Sequence, residues 1–326
     1  MRSYIVHEPN GPFIESDSPR PILTSKQVLV RIYASGVNPL DTKIRAAKAA
    51  HAEQPLPNIL GLDMAGTIEE VGDDVSQFHR GDDVYGMVGG VGNHQGTLAE
   101  YIAVDASLIA HKPSVLSMRE AAALPLSVLT AWEGLVDRAH VTEGQQVLIH
   151  AGAGGIGHVA VQLARAFGAH VYATTSAGKF DIVRGFGATP IDYAVEPVEE
   201  YVAKYTQGRG FDIVYDTVGG ATLDASFKAV KRYTGHAVSC LGWGTHALAP
   251  LSFRGANYSG VFTLLPLLTG QGTAHHGEIL AEASKLVEAG KLKPLLNERC
   301  FSPQEIAEAH AIVASGANGK VVIEMS

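Results

Sequence analysis

The chain has 326 residues, which is long for one ordinary domain and about right for two. Hydrophobic residues make up 46% and charged residues 18%, the net charge is −8, and no Lys/Arg run exceeds a dipeptide. This balance indicates a large buried core and argues against nucleic acid or a membrane as the main partner. The two cysteines, Cys240 and Cys300, exclude a disulfide framework.

The ends and apolar runs of the sequence bear on its location. The chain begins Met-Arg-Ser-Tyr-Ile-Val-His-Glu-Pro, with charge and proline where a signal peptide needs apolar residues. The longest apolar run, 258–268, is interrupted by Pro266 and falls short of a membrane span. We therefore expect a cytoplasmic protein in a reducing compartment.

The first 120 residues have the pattern of a compact, largely β domain. Short β-rich runs at 27–33, 65–71 and 98–104 are separated by turns rich in Gly, Pro and Asp.

From about residue 124, short apolar runs alternate with helical stretches. The predicted strands are 146–150, 170–174, 212–215, 236–240 and 258–264, and the predicted helices are 158–167, 179–186 and 223–230. This alternation predicts an α/β fold with a Rossmann-type, doubly wound parallel sheet. Two further helices, 277–289 and 303–315, precede a strand at 320–324, which needs a sheet to join and is expected to pack on the first domain. The prediction is a domain 124–266 inserted into a discontinuous domain, 1–123 plus 267–326.

A glycine-rich turn follows the strand 146–150. Its residues match G-x-G-x-x-G between a strand and a helix, the context in which this motif binds a dinucleotide: Gly152, Ala153, Gly154, Gly155, Ile156 and Gly157. The glycines allow a tight turn, close approach to the pyrophosphate and close helix–strand packing, and the helix N-terminus favours the phosphates.

The end of the second strand, about 20 residues on, selects between NAD and NADP. NAD-binding sites place a carboxylate there, whereas this chain has Thr175, Ser176 and Lys179 before the next acid, Asp181. Hydroxyls and an ammonium suit a 2′-phosphate, so the sequence favours NADP(H).

A series of short motifs then matches a known family along nearly the whole chain. In order, they span 35–41, 61–66, 70–72, 81–86, 96–101, 129–132, 151–157, 211–219 and 319–322. With them the chain resembles the zinc-free quinone oxidoreductase branch, which includes ζ-crystallin, of the medium-chain dehydrogenase/reductase superfamily. The resemblance implies that the β-rich domain is a GroES-like catalytic domain around an inserted NADP-binding Rossmann domain.

The resemblance also implies roles for single residues. Asn38 would lie beside the nicotinamide ribose and the substrate, and Asp41 in the same motif would orient the loop or take part in the chemistry. The resemblance also implies further cofactor contacts. The 2′-phosphate would be held by Ser176, Lys179 and Tyr193, and the nicotinamide end would be contacted by Thr130 and surrounded by Val218, Leu241, Gly242, Phe262 and Thr263. Asn318 and Lys320 would close over the cofactor from the C-terminal segment.

Zinc-dependent relatives carry a Cys where this chain has Ser35 or Gly36, and Gly-His-Glu where it has Gly61-Leu62-Asp63. Without those ligands we expect no metal site. Hydride transfer to a quinone or an α,β-unsaturated carbonyl is then favoured over alcohol oxidation, because such acceptors delocalise charge themselves. The alternatives are an enoyl-thioester reductase, whose usual pocket Tyr is replaced here by Lys43, and a non-catalytic NADPH-binding protein.

The run 258–264 is predicted to be the last strand of the parallel sheet. An exposed strand edge is commonly covered by another chain, so we expect a homodimer that pairs these edges.

Overall fold

The computed structural model of the protein describes residues 1–325. Within that range the strands are β1 Arg2–Val6, β2 Ile14–Asp17, β3 Gln27–Val37, β4 Asn58–Ile59, β5 Asp63–Val71, β6 Asp83–Met87, β7 Tyr101–Asp105, β8 Ile109–His111, β9 Gln146–Ile149, β10 His170–Thr175, β11 Thr189–Asp192, β12 Ile213–Asp216, β13 His236–Ser239, β14 Asn257–Gly260 and β15 Val321–Glu324. The α-helices are α1 Pro39–Arg45, α2 Met118–Ala122, α3 Pro125–Trp132, α4 Gly157–Ala166, α5 Phe180–Gly185, α6 Val198–Thr206, α7 Ala221–Ala229, α8 Ala249–Ser252, α9 Leu265–Thr269, α10 Thr273–Glu288 and α11 Ile306–Ala314.

The chain divides into two compact units. Unit 1 comprises Met1–Leu126, Leu264–Gly290 and Pro294–Ser326, and unit 2 comprises Ser127–Thr263 and Lys291–Lys293. Each unit is built around its own sheet.

Unit 2 contains a parallel six-stranded sheet in the order β11-β10-β9-β12-β13-β14. The central strand β9 is apolar because helices cover both faces of such a sheet. Part of the core is a cluster of buried apolar side chains that includes Leu148, Phe211, Val214, Leu223 and Phe227. The predicted doubly wound α/β fold is therefore confirmed, and its strands all present their carboxyl ends at one edge.

Unit 1 is built from antiparallel strands. One sheet has the order β15-β3-β5-β6-β8 with β7 also paired to β3, and a smaller sheet has the order β2-β1-β4. The C-terminal strand β15 pairs with β3, with Val321 opposite Val37, so the end of the chain contributes a strand to this sheet. The long strand β3 leads directly into α1, whose first residue is Pro39.

The predicted strand 258–264 is wrong at its C-terminal end. Strand β14 ends at Gly260, and only the Val261 amide extends the pairing, donating to the Ser239 carbonyl at 2.9 Å. The chain then turns into α9, which has Pro266 in its first turn. Proline suits the start of a helix, so the apolar run is divided between a strand and a helix.

Candidate functional site

The glycine turn of unit 2 is closely packed against its neighbours. A Cβ atom at Gly152 would lie 2.5 Å from the Cβ of Ala173 on β10. A Cβ at Gly157 would lie 2.0 Å from the carbonyl oxygen of Ala151, and one at Gly154 would lie 3.0 Å from the same oxygen. Larger side chains at Gly152 or Gly157 are therefore incompatible with this turn, as the dinucleotide motif requires.

Helix α4 begins at the end of this turn. Its N-cap residue, Ile156, offers no side chain that could accept a hydrogen bond from the first-turn amides. The predicted turn residues Ala153 and Gly155 lie immediately before it, buried and exposed respectively. A helix N-terminus without a side-chain cap offers amide donors and a favourable dipole to an anion, so the turn fits the pyrophosphate of a dinucleotide.

Thr174 fixes the turn to the second strand, a role that the sequence did not reveal. Its Oγ1 accepts from the Ala151 amide at 3.2 Å and pairs with His150 Nδ1 at 3.0 Å, while its carbonyl accepts from the Gly152 amide at 2.9 Å. Burial lowers the pKa of His150 to about 4, so this imidazole is neutral at pH 7. The only signal in the sequence was a threonine at the end of β10.

The end of β10 carries the polar residues that the sequence analysis predicts to contact the adenosine 2′-phosphate. Thr175 is buried, and Ser176 and Lys179 are half-buried. The nearest acid along the chain, Asp181, is paired with Arg184 at 3.0 Å.

The neighbouring strand β11 ends beside the end of β10. Asp192 lies opposite Thr175 in the register, and its Oδ1 accepts from the Ala194 amide at 3.0 Å. The next residue, Tyr193, is 65% exposed. Ser176, Lys179 and Tyr193 carry the donor groups that the sequence analysis assigns to a 2′-phosphate, and Asp192 adds a carboxylate at the end of the neighbouring strand.

The other predicted cofactor contacts of unit 2 lie at the carboxyl ends of the remaining strands. They are Val218 after β12, Leu241 and Gly242 after β13, and Phe262 and Thr263 after β14, whereas Thr130 lies on α3. The Oγ1 atoms of Thr130 and Thr263 are 3.4 Å apart. The structure therefore brings these residues to the edge at which ligands of open α/β sheets bind.

Asp216 shapes this edge and was also not predicted as a site residue. Its buried carboxylate accepts from the amides of Val218 and Gly219, each at 3.0 Å, and from Ser239 Oγ at 2.7 Å. It thereby fixes the backbone on which Val218 stands.

Unit 1 holds a separate, buried polar cluster. Asn38, Asp41, Asp63 and Lys320 are each no more than 5% exposed. Asn38 Nδ2 donates to Asp63 Oδ2 at 2.9 Å, and the Asn38 amide donates to Asp41 Oδ2 at 2.7 Å. Lys320 Nζ donates to Asn38 Oδ1 and lies 3.9 Å from Asp63 Oδ2.

Burial sets the charges in this cluster. It raises the pKa of Asp41 to about 7, although the hydrogen bond from the Asn38 amide opposes the shift. It raises the pKa of Asp63 to about 6, against the nearby Lys320 ammonium, and lowers the pKa of Lys320. The Lys320 ammonium thus opposes the rise in pKa of both buried carboxyl groups, and Asp41 Oδ1 has no hydrogen-bond partner among the described residues.

The positions of the zinc ligands in related dehydrogenases hold groups that do not fit zinc. A Cβ at Gly36 would lie 2.3 Å from the carbonyl oxygen of Ala122, which leaves no room for a cysteine. Ser35 Oγ is hydrogen-bonded to Thr97 Oγ1 at 2.7 Å, and Leu62 is an apolar core residue. In residues 1–325, no group of three or more His, Cys, Asp or Glu side chains could hold a metal ion.

The remaining predicted residues occupy the surface of unit 1. Asn318 is exposed and its carbonyl accepts from Asn297 Nδ2 at 2.9 Å. Lys43, at the position of the expected Tyr, is exposed on α1. No helix in the described range is long and apolar enough to cross a membrane.

Two family models match the chain. The model of the alcohol dehydrogenase GroES-like domain matches residues 24–114, and the model of zinc-binding dehydrogenase matches residues 186–323.

Individual proteins match over nearly the whole length. The 2-methylene-furan-3-one reductase of Solanum lycopersicum is 38% identical over 95% of this chain and 74% of its own. The chloroplastic NADPH-dependent alkenal/one oxidoreductase of Arabidopsis thaliana is 35% identical over 95% of this chain and 75% of its own. A crystal structure of an alcohol dehydrogenase superfamily protein from Novosphingobium aromaticivorans is 56% identical, with a TM-score of 0.98 over 100% of both chains.

Proposed function

Because the chain belongs to the zinc-free quinone oxidoreductase branch of the medium-chain dehydrogenase/reductase superfamily, we propose that it reduces quinones or α,β-unsaturated carbonyl compounds with NADPH. The observation that carries this proposal is the donor set at Ser35, Gly36 and Leu62, which offers zinc neither Cys nor His. An acceptor reduced here must stabilise its developing negative charge without a zinc ion. Conjugated carbonyl compounds do so by delocalisation, and the two relatives are named a 2-methylene-furan-3-one reductase and an NADPH-dependent alkenal/one oxidoreductase.

NADP(H) is the cofactor, and unit 2 carries residues that suit it. We assign the pyrophosphate to the turn 152–157 and the 2′-phosphate to Ser176, Lys179 and Tyr193. We assign the nicotinamide end to Val218, Leu241, Gly242, Phe262, Thr263 and Thr130. On this proposal the sequence-predicted domain 124–266 binds the cofactor, and 1–123 plus 267–326 form the catalytic domain.

NADPH, when bound, supplies a hydride. Reduction of an enone adds that hydride to the β-carbon and a proton from water to the α-carbon, and a quinone takes up the same hydride and proton to give a hydroquinone. The chain's contribution is to bind and orient the acceptor and to exclude competing reactions. We assign Asn38 to orientation of the acceptor and cofactor, and Asp41 to holding the Asn38 backbone through its 2.7 Å hydrogen bond.

Steady-state NADPH oxidation with a panel of quinones, 2-alkenals, alkenones and enoyl thioesters tests the proposal. We expect turnover of quinones or enones, and unchanged rates after treatment with a chelator. Preference for enoyl thioesters would favour the enoyl-thioester alternative. Tight NADPH binding with no turnover of any acceptor would indicate a non-catalytic NADPH-binding protein instead.

We also propose that the protein forms a homodimer through β14. This strand ends the sheet of unit 2, and its outer edge pairs with no other described strand. Phe253, just before it, is 85% exposed, and Tyr233, whose amide donates to the Arg254 carbonyl, is 83% exposed. Unpaired strand edges and exposed aromatic side chains are both features of protein interfaces.

Light scattering tests this assembly. We expect the mass of a dimer for the wild type and a shift toward monomer for Phe253→Asp, because a charge would be buried in the interface. Ile22→Asp changes an equally exposed residue of unit 1 and serves as the control. A monomeric wild type would contradict the proposal.

We place the enzyme in the cytoplasm. Both cysteines are free, Cys300 is exposed, and exposed thiols persist in a reducing compartment. Fractionation of the source cells, with an antibody against the chain, tests this location.

A further inference from the structure

The Asn38 carboxamide has a charged partner at each of its two ends. Lys320 Nζ donates to its oxygen, and its nitrogen donates to Asp63 Oδ2 at 2.9 Å. Rotating the carboxamide by half a turn would place its NH2 group against the ammonium and its oxygen against the carboxylate. Both contacts would become repulsive, so the two charged groups permit one orientation.

The partners are themselves held in place. Asp63 begins strand β5, and its second oxygen, Oδ1, accepts from the Leu126 amide at 3.0 Å. The Lys320 amide donates to the Leu295 carbonyl at 2.7 Å, and the Lys320 carbonyl accepts from the Asn297 amide at 2.9 Å. The Asn38 backbone is fixed by Asp41. Asp63 and the Lys320 backbone are therefore anchored by contacts other than the Asn38 carboxamide.

The position of Lys320 bears on its role. Its side chain is 5% exposed, and its ammonium is engaged by Asn38 and Asp63. An ammonium held by these two partners is already committed to the Asn38 carboxamide and its neighbouring carboxylate.

We propose that Asp63 and Lys320 are positioning residues that fix the Asn38 carboxamide in one orientation, so that Asn38 always presents the same atoms to the acceptor and cofactor. This inference rests on the proposed function, in which Asn38 orients the reactants. Lys320 then acts on the reaction through Asn38 and not by direct contact with NADPH. Stability alone does not account for burying the charges of Asp63 and Lys320, because an apolar pair of similar size would stabilise the fold as well.

A double-mutant cycle tests the proposal. We expect Lys320→Met to lower kcat about tenfold while the Kd for NADPH, measured by fluorescence titration, changes by less than about threefold. In an Asn38→Ala background the same substitution should leave kcat almost unchanged. Lys285→Met, on the exposed face of α10, is the matched control. Weaker NADPH binding with kcat retained, or an equal loss of kcat in both backgrounds, would overturn the proposal.

Two additions keep the test decisive. If Lys320→Met does not fold, the neutral pair Lys320→Met/Asp63→Asn enters the same cycle, because it also removes the charge of Asp63, whose Oδ2 lies 3.9 Å from the Lys320 ammonium in the wild type. Side-chain amide NMR signals of selectively 15N-labelled asparagine give a readout without turnover, with the Asn38 pair identified by its loss in Asn38→Ala. We expect this pair to be slow to exchange with deuterium in the wild type, and to shift and exchange faster in the Lys320 variants. Unchanged Asn38 signals would overturn the positioning role even in a protein that turns over no acceptor, whereas absent turnover alone would count against the proposed function.

Discussion

The two units use opposite physical means to prepare their parts of the site. In unit 2 the turn at Gly152–Gly157 is shaped by its backbone, with small residues, a helix N-terminus that has no side-chain cap, and a neutral histidine, His150, just before the turn. In unit 1 three ionisable side chains, Asp41, Asp63 and Lys320, are buried around a single amide. The stability of the glycine turn depends on close packing, whereas the stability of the charge cluster depends on every buried charge having a partner. The two regions should therefore fail in different ways when they are altered.

The largest effect is expected from breaking the charge cluster. Lys320→Met leaves Asp63 and Asp41 buried without a cation, and removing one partner of a buried ion pair typically costs about 3–5 kcal/mol. The double variant Lys320→Met/Asp63→Asn should recover most of that loss. Urea denaturation of both proteins measures the difference, and a double variant no more stable than the single one would contradict the pairing.

The pH dependence of stability should separate the cluster from the rest of the molecule. The pKa of Asp41 is raised to about 7 in the folded chain, so the folded state keeps a proton that the unfolded state has lost. The stability that this proton confers is complete below the unfolded pKa, about 3.9, and is lost as the pH rises through about 7.

Comparison with Asp41→Asn isolates this contribution. The wild type should lose stability relative to the variant between about pH 4 and 7, by an amount on the order of 2–4 kcal/mol. Asp73→Asn removes an exposed carboxylate of the same unit and serves as the control. Parallel stability curves for wild type and Asp41→Asn would show that Asp41 is ionised in the folded protein throughout.

The glycine turn at 152–157 should be destabilised by added side-chain volume. Gly157→Ala forces a methyl group to within 2.0 Å of the Ala151 carbonyl oxygen, so the turn must move. We expect about 1–3 kcal/mol of destabilisation, as for other overpacked sites, and a much larger relative loss of NADPH affinity. Gly185→Ala adds a methyl group in open space and provides the control. NADPH binding equal to wild type in Gly157→Ala would argue against this turn as the pyrophosphate site.

The smallest effect should come from Lys179, which we assign to the 2′-phosphate. Lys179→Ala is expected to weaken NADPH about tenfold, or about 1.4 kcal/mol, and NADH hardly at all, because only NADPH carries the 2′-phosphate. Lys228→Ala removes an exposed lysine of the same unit as the control. Isothermal titration with both cofactors measures the ratio, and equal losses for the two would reject the assignment.

The same contrast explains what the sequence revealed. The glycine turn can be predicted from the sequence because its residues are contiguous and each meets a local backbone requirement. The parallel sheet can be predicted because apolar runs alternate with helical stretches. For Asp63 the sequence predicts only that Gly61-Leu62-Asp63 lacks a zinc ligand, and it does not predict the contact with Asn38. Its contacts join residues 38, 63 and 320, which only the pairing of β15 and β5 with β3 brings together. Thr174 and Asp216 were missed because their hydrogen bonds also cross between strands.

The central claim is reduction of a conjugated acceptor by hydride from NADPH without zinc. NADPH carrying deuterium at the transferred position, supplied with a 2-alkenal in the presence of a chelator, tests it most directly by mass spectrometry and NMR of the product. The account predicts a saturated aldehyde with deuterium on the β-carbon. Deuterium on the carbonyl carbon of an allylic alcohol would show carbonyl reduction instead and would contradict it.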